Sequence, residues 1–544
     1  MKIISKFSAI TYLFFLLYFF LGLFLVNDYG IGIEEHFQRK SGFYWLNYLL
    51  DFTNFYNLKI SVASRLETIN QISNLAQIES HLNYGILFDL PTAFFETILD
   101  LQEKEIFLFR HFVNFTVFFI SGIFFYKILT YKFKSEIIVL FGLLIYLLIP
   151  KSFGSSFFDS KDLFFLSILT INFFFYIKFE KKRNLHNLVL FSLFSAFSIS
   201  SRIFGLAVPI SFIAIELISL LEKKKIHQIK FIFLFFVFLI IFLFLHWPYL
   251  WIIKDNIFQF FVSFEVKTIT KVYFDGLFFN SNNLPISYIP KLIFFKTPIF
   301  IILLFLIGFF LITKRIFNRI LIIDENNSKR LWLSINEKID IFIITNLCIV
   351  IVHYVSKNPN LYGGFRHYIF INFFISYLAA CSLNFFYIFF RNKKIILNTI
   401  YALISILFLS LINSLIIYHP YQTYYFNEFL NNKKKSNYEI DTQSLSRVDA
   451  LNFILSDAKN LDKIKIATAS WTPLEEALYY INKKDREKLI FLGTSNKIDA
   501  DYIYTNHFYE VNINLNDKYE IPDKFSKFKE FIIDGSKVFT IFKK

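Results

Sequence analysis

Cysteine and methionine are almost missing from this chain of 544 residues, which contains two of the first and one of the second. Cys348 and Cys381 both lie inside apolar runs, without CxxC spacing and without a cluster of histidines nearby. This argues against a disulfide framework and against a zinc site. Glycine is also scarce, at 15 residues against 78 phenylalanines, a composition that we attribute to AT-rich coding bias and not to function.

A continuous basic surface is missing as well, although the formal net charge is +15. The lysines and arginines form short clusters between apolar runs, which argues against nucleic acid as a partner. Hydrophobic residues make up 55% of the chain and its mean hydropathy is +0.49. These values predict a membrane protein surrounded by lipids.

Eleven apolar runs have about the length that a helix needs to cross a bilayer. We predict spans at residues 8–26, 107–129, 136–150, 163–179, 187–201, 204–221, 231–247, 292–313, 340–355, 367–389 and 396–417. The first run lacks a small-residue cleavage site and is therefore predicted to be retained. The basic clusters at 132–134, 181–183, 223–225, 314–319 and 391–394 all fall on one side, which the positive-inside rule assigns to the cytoplasm.

The predicted fold class is mainly α: a polytopic protein of the bacterial inner (plasma) membrane with a small extracytoplasmic α/β domain at its C-terminus. We predict a membrane domain at 1–430, with a long first outer loop at 27–106, and the second domain at 431–544. A helix is predicted at 448–458 and strands at 463–467, 489–492 and 502–504. Residues 531–539 predict a hairpin with an Asp-Gly turn.

Helical periodicity at 43–50 and 92–101 predicts amphipathic helices along the membrane surface within the first outer loop. A second long outer loop is predicted at about 248–291. The chain contains no internal repeat of the kind that transporters show.

The candidate catalytic residues lie in these outer segments. Glu34 and Glu35 follow the first span, where a carboxylate can act as a base, alone or through a divalent cation; a solvated acidic loop is the alternative. Asp159, Lys161 and Asp162 precede another span. Asp162 favours the positive end of a helix dipole, so a helix cap explains it equally well, whereas Lys161 can meet a phosphate.

Arginines at two span ends are candidate phosphate ligands. Arg202 lies between two apolar runs, and Arg366 and His367 precede the span at 367–389. A guanidinium binds two phosphate oxygens at once, although snorkelling to the interface also explains an arginine at such a place. The aromatic boundaries at 246–251 and 419–427 are explained by interfacial anchoring.

At these residues the chain resembles the GT-C fold glycosyltransferases, the broad group that contains protein O-mannosyltransferases and the lipid A aminoarabinose transferase. The resemblance covers residues 1–430. It rests on the acidic pair Glu34-Glu35, on the second acidic loop at 159–162, and on the segments 362–370 and 419–427. Such pairs usually begin with Asp, whereas this chain has Glu34, which is one methylene longer.

The resemblance implies transfer of a sugar from a polyprenyl-phosphate donor to an envelope glycan, lipid or protein on the extracytoplasmic face. It implies that Glu34 activates the acceptor, that Glu35 or Asp162 orients it, and that Glu34 and Asp162 share a divalent cation such as Mg²⁺ or Mn²⁺. The phosphate and substrate ligands it implies are Asp159, Lys161, Arg202, Arg366 and His367, and His367 is also the implied proton donor to the departing phosphate.

Two other functions stay open at this point: a transporter or flippase for lipid-linked glycans, and a non-catalytic assembly subunit. The missing repeat, the lack of acidic residues in mid-span and the long outer loops argue against a transporter.

Overall fold

The structure is a computed structural model that describes residues 6–72, 82–223, 227–252, 269–321, 331–509, 512 and 515–544. Its main apolar helices are Lys6–Leu25, Lys104–Lys132, Glu136–Leu148, Asp162–Lys181, Leu185–Ser201, Ala207–Lys223, His227–His246, Ile299–Leu321, Ile335–Lys357, Ile371–Phe390 and Lys394–Ile417. Within the described ranges, nine helical segments are long and apolar enough to cross a membrane, and Glu136–Leu148 and Leu185–Ser201 are shorter apolar helices. The polytopic helical fold is thus confirmed, while two lysines of one predicted basic cluster, Lys224 and Lys225, lie outside the described residues.

One predicted span begins later than its hydropathy indicates. The run at 292–313 is divided between a short helix, Tyr288–Lys296, and the long helix Ile299–Leu321. Pro298 causes the break, because proline disfavours the helical conformation of the preceding residue, and Thr297 is extended at φ −116° and ψ 138°.

The helix Asp162–Lys181 forms the centre of the bundle, with nearly all of its side chains buried. It packs against Lys104–Lys132 and Leu185–Ser201. Ring contacts fill the space around it, with Tyr176 stacked on Phe342 at 3.5 Å between centroids. The abundant aromatic residues therefore fill the interior, where such contacts add to the stabilisation from area burial.

The ends of the bundle differ in composition. One end, which we call the basic end, holds Lys132 and Arg183, which lie at or just beyond the last turns of their helices. It also holds Arg315, in the second-last turn of Ile299–Leu321, and Lys338, in the first turn of the next helix. The other end, the site end, holds the segments 26–34, 149–161, 202–206 and 358–370, because successive helices run in opposite directions. All eight predicted site residues lie at the site end or in the first turn of the helices that start there.

The first long loop is itself folded into the helices Glu35–Leu50, Tyr56–Ile72 and Asp89–Ile98. They overlap both predicted helical segments and share an apolar interior that contains Phe43, Leu46 and Val62. The second long loop, predicted at about 248–291, is partly outside the described residues. It contains a short helix, Tyr249–Ile252, and an antiparallel hairpin of β1 (Lys271–Phe274) and β2 (Leu277–Asn280).

The C-terminal part contains a five-stranded sheet of β3 (Ile464–Thr468), β4 (Leu489–Gly493), β5 (Tyr502–Thr505), β6 (Ser526–Ile533) and β7 (Ser536–Lys543). The strand order in the sheet is β4-β3-β5-β7-β6. The first three in spatial order are parallel, and β7 pairs antiparallel with β5 and β6. Three helices lie beside them: Asn432–Lys435, Arg447–Asp457 and Lys483–Arg486.

The hairpin predicted at 531–539 is confirmed, since β6 and β7 meet at Asp534 and Gly535. Both residues have positive φ, at 44° and 76°, as a two-residue turn between right-twisted strands requires. The other predicted strands and the helix after 447 are also present. The domain boundary at 430/431 stays a prediction, because residues 419–446 contact both parts of the chain.

Candidate active site

The central ion pair of the site end joins Glu34 to Arg366, which are 332 residues apart in the sequence. The Nη2 atom of Arg366 donates to Oε1 of Glu34 at 2.6 Å. The Arg366 side chain is 4% exposed and the Glu34 side chain 19%, so the carboxylate is the partner that solvent can reach. Burial is the largest single effect on the pKa of Arg366 and lowers it, but the charges of Glu34, Tyr362 and Asp162 and the hydrogen bond to Glu34 together hold the pKa above its usual value.

A glycine turn places Arg366 against this carboxylate. Gly363 and Gly364 both have positive φ, at 69° and 71°, a region that other residues adopt only at a cost. A Cβ added to Gly363 would also lie 3.0 Å from Nε of Arg366. The Gly-Gly dipeptide therefore has a local structural reason in the path that brings Arg366 into the site.

A second ion pair joins Asp162, the first residue of the central helix, to Arg202, which follows the helix Leu185–Ser201. The backbone amide of Asp162 is bound by Oδ1 of Asp159 at 2.9 Å. Asp159, and not Asp162, thus has the helix-capping role, and the carboxylate of Asp162 is directed to the arginine. Burial and the neighbouring charge of Asp162 raise the pKa of Asp159 to about 6.

The two pairs lie within electrostatic range of each other. Glu34 and Asp162 both raise the pKa of Arg202, and the positive charge of Arg366 opposes them. Burial is the largest single effect on Arg202 and lowers its pKa, yet the pKa still lies above the usual value because Asp162, Tyr84 and Glu34 act together against it. The structure therefore brings Glu34, Asp162, Arg202 and Arg366 together.

Glu35 belongs to a different set of contacts from Glu34. Its carboxylate oxygens lie 3.0 and 3.1 Å from Nε2 of His111, and Oε1 accepts from the amide of Gly32 at 2.7 Å. Glu35 is 1% exposed and His111 is fully buried. These contacts fix the turn before the helix Glu35–Leu50, so Glu35 holds the loop while Glu34 faces Arg366.

Lys161 and His367 lie on aromatic rings. The Nζ atom of Lys161 lies 3.7 Å from the centroid of the Tyr84 ring, which also contacts Arg202. His367 packs edge-on against Tyr362 at 5.2 Å. Burial, followed by the charge of Arg366, lowers the pKa of His367 well below its usual value. A neutral imidazole suits hydrogen bonding to a substrate better than proton donation, the role considered from the sequence.

Two buried lysines were missed by the sequence analysis. Lys151 follows Pro150, the first residue of the short helix Pro150–Ser155, and is 5% exposed. Within the described part of the chain its ammonium group makes no hydrogen bond or ion pair, and it lies 5.9 Å from the Phe365 ring. Burial lowers its pKa to about 8, with Asp159 opposing and Arg366 adding to the shift.

Lys296 is the second missed lysine. Its Nζ atom lies 3.6 Å from the centroid of the Phe426 ring and 3.4 Å from the carbonyl oxygen of Tyr424. Burial lowers its pKa well below the usual value, and the charge of Lys151 adds to this shift. The only sequence signal for either lysine was a basic residue at the outer edge of an apolar run, opposite the basic loops.

The site end therefore has more basic than acidic groups. Five basic side chains (Lys151, Lys161, Arg202, Lys296 and Arg366) surround three carboxylates (Glu34, Asp159 and Asp162). Three further carboxylates are bound separately: Asp28 by His419, Glu35 by His111 and Asp89 by Arg110. Buried charges normally require partners, so this arrangement fits an anionic ligand.

A small cleft, of about 30 Å³, lies beside Lys161, and its walls include Gln38, Tyr84 and Ser160. That volume suits an ordered water and not a sugar ring. A sugar can enter this cleft only if the surrounding side chains or loops move, as active-site loops commonly do on substrate binding.

The carboxylates do not form an evident metal site. Among the residues that the structure describes, no group of three or more His, Cys, Asp or Glu side chains could hold a metal ion. Glu34 and Asp162 are each bound by a guanidinium instead. The shared divalent cation stays a prediction that chelation can test.

No protein-family model matches this chain, and no curated protein matches it. Among solved structures, it is similar to the crystal structure of ArnT from Cupriavidus metallidurans bound to undecaprenyl phosphate. The two share 10% sequence identity over 98% of this chain and 97% of ArnT, with a TM-score of 0.47. Because these values are low, we base the functional proposal on the side chains of this chain.

Proposed function

We propose that this protein is a glycosyltransferase that moves a sugar from a polyprenyl-phosphate donor to an acceptor of the cell envelope. The observation that carries the proposal is the partly exposed carboxylate of Glu34, fixed by Arg366 beside an excess of buried basic groups. One carboxylate base next to a cationic pocket is the combination that glycosyl transfer from a phosphate requires.

The location of the site supports a lipid-linked donor. The site lies at the end of the bundle opposite the basic loops. The positive-inside rule assigns the basic loops to the cytoplasm and therefore the site to the extracytoplasmic face. Nucleotide sugars are absent from that compartment, whereas polyprenyl-phosphate sugars reach it in the membrane. The acceptor is then a glycan, lipid or protein of the envelope.

Glu34 is the proposed base. The acceptor hydroxyl oxygen attacks the anomeric carbon, and the bond from that carbon to the phosphate oxygen breaks with its electron pair on the phosphate. The hydroxyl proton passes to the Glu34 carboxylate. Arg366 holds one oxygen of that carboxylate at 2.6 Å, which fixes its direction. Such positioned proton transfer contributes about 10²- to 10⁴-fold to a rate.

The basic groups are proposed to bind the departing phosphate. Lys151 has no carboxylate contact among the described residues, so its charge is available for a ligand. Arg202 and Lys161 both contact the Tyr84 ring. At these positions the two side chains can reach the same anion. Asp162 keeps Arg202 in place, and Asp159 keeps the amide of Asp162 in place. Donors fixed before the reaction stabilise developing charge without reorganisation.

The test is a Glu34→Gln variant expressed in a deletion strain whose envelope glycolipids and glycoproteins are profiled by mass spectrometry. We expect the product of the wild-type protein to disappear while the amount of membrane-inserted protein stays normal. The matched control is Asp100→Asn, an exposed acid of the same loop that binds Arg65. Its positive φ of 48° also suits asparagine.

A flippase or an assembly subunit predicts a different result. Either function would leave the envelope glycans of the Glu34→Gln strain unchanged, because neither needs a proton acceptor at this position. Unchanged glycans in a strain with normal protein level would therefore contradict the proposed transferase.

A further inference from the structure

The loop of residues 28–36, which we call the acidic loop, is held by the C-terminal part of the chain. Four contacts of 2.7–3.2 Å connect the two: Asp28 with His419, Tyr29 with Gln422, Ile33 with Gln443, and His36 with Glu476. They occur on both sides of Glu34 in the sequence. The loop is thus anchored before and after the proposed base.

Arg447 makes the most extensive of these connections. It is 1% exposed, and its Nη2 atom donates to the carbonyl oxygen of Ile31 at 2.9 Å. Its other nitrogens donate to the carbonyl oxygens of Ser444 and Pro473 and to the carboxylate of Glu476. One guanidinium therefore connects the acidic loop to two segments of the C-terminal part.

The approach between these segments leaves no room for an added side chain. A Cβ on Gly30 would lie 2.6 Å from the carbonyl oxygen of Leu445, which real contacts do not tolerate. Glu476 lies near enough to Glu34 for their charges to interact, because Glu34 raises the pKa of Glu476, after the larger effects of burial (raising) and Arg447 (lowering). The C-terminal part thus reaches the immediate surroundings of the proposed base.

We propose that the C-terminal part of the chain serves to position Glu34, and that Arg447 is the positioning residue that connects the C-terminal part to the acidic loop. This inference rests on the proposed role of Glu34. Arg447 contacts the backbone three residues before the base, and His111 fixes Glu35 after it. Glu34 is left with a defined direction toward Arg366.

The test compares Arg447→Met with Asp457→Asn in the full-length protein in lipid nanodiscs. Both residues belong to the helix Arg447–Asp457, but Asp457 binds Tyr502 and Lys543 of the C-terminal sheet. Three quantities are measured: hydrogen exchange of the amides at 28–36, affinity for a polyprenyl phosphate, and sugar transfer in the deletion strain. Arg447→Lys is the conservative variant.

For Arg447→Met we expect faster exchange at 28–36 and transfer lower on the order of 10²-fold, since small displacements of a reacting group cost that much. Affinity for the polyprenyl phosphate should stay within about twofold, because the basic groups are untouched. Arg447→Lys should recover part of the transfer, and Asp457→Asn should change neither exchange nor transfer by more than about twofold.

Unchanged exchange and transfer in Arg447→Met would overturn the inference, and so would equal changes in Asp457→Asn. The exchange measurement separates this inference from the proposed function. If the wild-type protein transfers no sugar but Arg447→Met still exchanges faster at 28–36, the proposed function fails and the positioning of the loop by Arg447 is supported.

Discussion

The basic end and the site end of the bundle use the same residue types in different ways. At the basic end, Lys338 binds Glu180 at 3.0 Å and Glu216 at 2.7 Å, and Arg183 binds the same two carboxylates at 2.6 Å. A second cluster there joins Asp340 to Lys132, Arg315 and Tyr377. Every carboxylate of these clusters has a basic partner, so the charges satisfy one another.

At the site end, Lys151 and Lys296 are buried without a carboxylate contact among the described residues. The carboxylates of Asp162 and Glu34 are instead bound by the two arginines, Arg202 and Arg366. A buried charge without a partner of opposite sign lowers stability. Such charges are therefore typical of functional sites, where a bound ligand supplies the opposite charge. The comparison supports a structural role for the basic end and agrees with the proposed anion site at the site end.

The largest expected effect is at the basic end. Lys338→Met leaves Glu180 and Glu216 with Arg183 as their remaining basic partner among the described residues. We expect a loss of about 3–5 kcal/mol of stability, the usual cost of breaking a buried pair. Thermal unfolding of the purified protein measures it, with Lys357→Met, an exposed lysine at the far end of the same helix, as control. Equal melting temperatures for both variants would contradict a structural role of the cluster.

Lys151→Met should have the opposite profile. Transfer should fall on the order of 10²-fold, because one donor to the leaving phosphate is lost, while the melting temperature should stay the same or rise. Sugar transfer and thermal unfolding are measured on the same preparation. A destabilised protein with normal transfer per folded molecule would show that Lys151 is structural, like Lys338.

The pH dependence sharpens the assignment of Lys151. Because its pKa is lowered to about 8, the ammonium group is charged at pH 7 and loses its proton as the pH rises through 8. We expect affinity for a polyprenyl phosphate to fall by up to about tenfold between pH 7 and pH 9. Lys151→Arg stays charged and should remove this dependence. The same fall in the arginine variant would assign it to another group.

The smallest expected effect concerns metal ions. The carboxylates of Glu34 and Asp162 are each bound by an arginine. We therefore expect EDTA to change the rate of sugar transfer by less than about twofold, since removing a group that takes no part in the reaction leaves the rate nearly unchanged. The measurement is transfer by purified protein before and after chelation, with Mg²⁺ and Mn²⁺ added back. Loss on chelation and recovery with one of these ions would support the shared cation implied by the resemblance.

Much of the fold was predictable because lipid imposes a simple rule on sequence: a spanning helix must be long and apolar. The Asp534-Gly535 turn was predictable from local conformation. The exact start of Ile299–Leu321 was not, because hydropathy continues across Pro298 while the backbone does not.

The candidate site was predictable only in part. Glu34, Asp162, Arg202 and Arg366 were identified by type and by position at span ends, but their pairing joins residues up to 332 apart. The separation of Glu34 from Glu35 depends on His111, which lies within a predicted span. Arg447 was not predictable at all, since three of its four contacts are with backbone oxygens, which any sequence supplies.

The contact between Arg447 and Ile31 spans 416 residues, which has a consequence for biosynthesis. The acidic loop leaves the ribosome well before the residues that anchor it. At about 5–20 residues per second, the ribosome needs tens of seconds to supply them. During that interval the nascent chain already holds Glu34 in the membrane but lacks its fixed geometry, so prematurely terminated products should be inert.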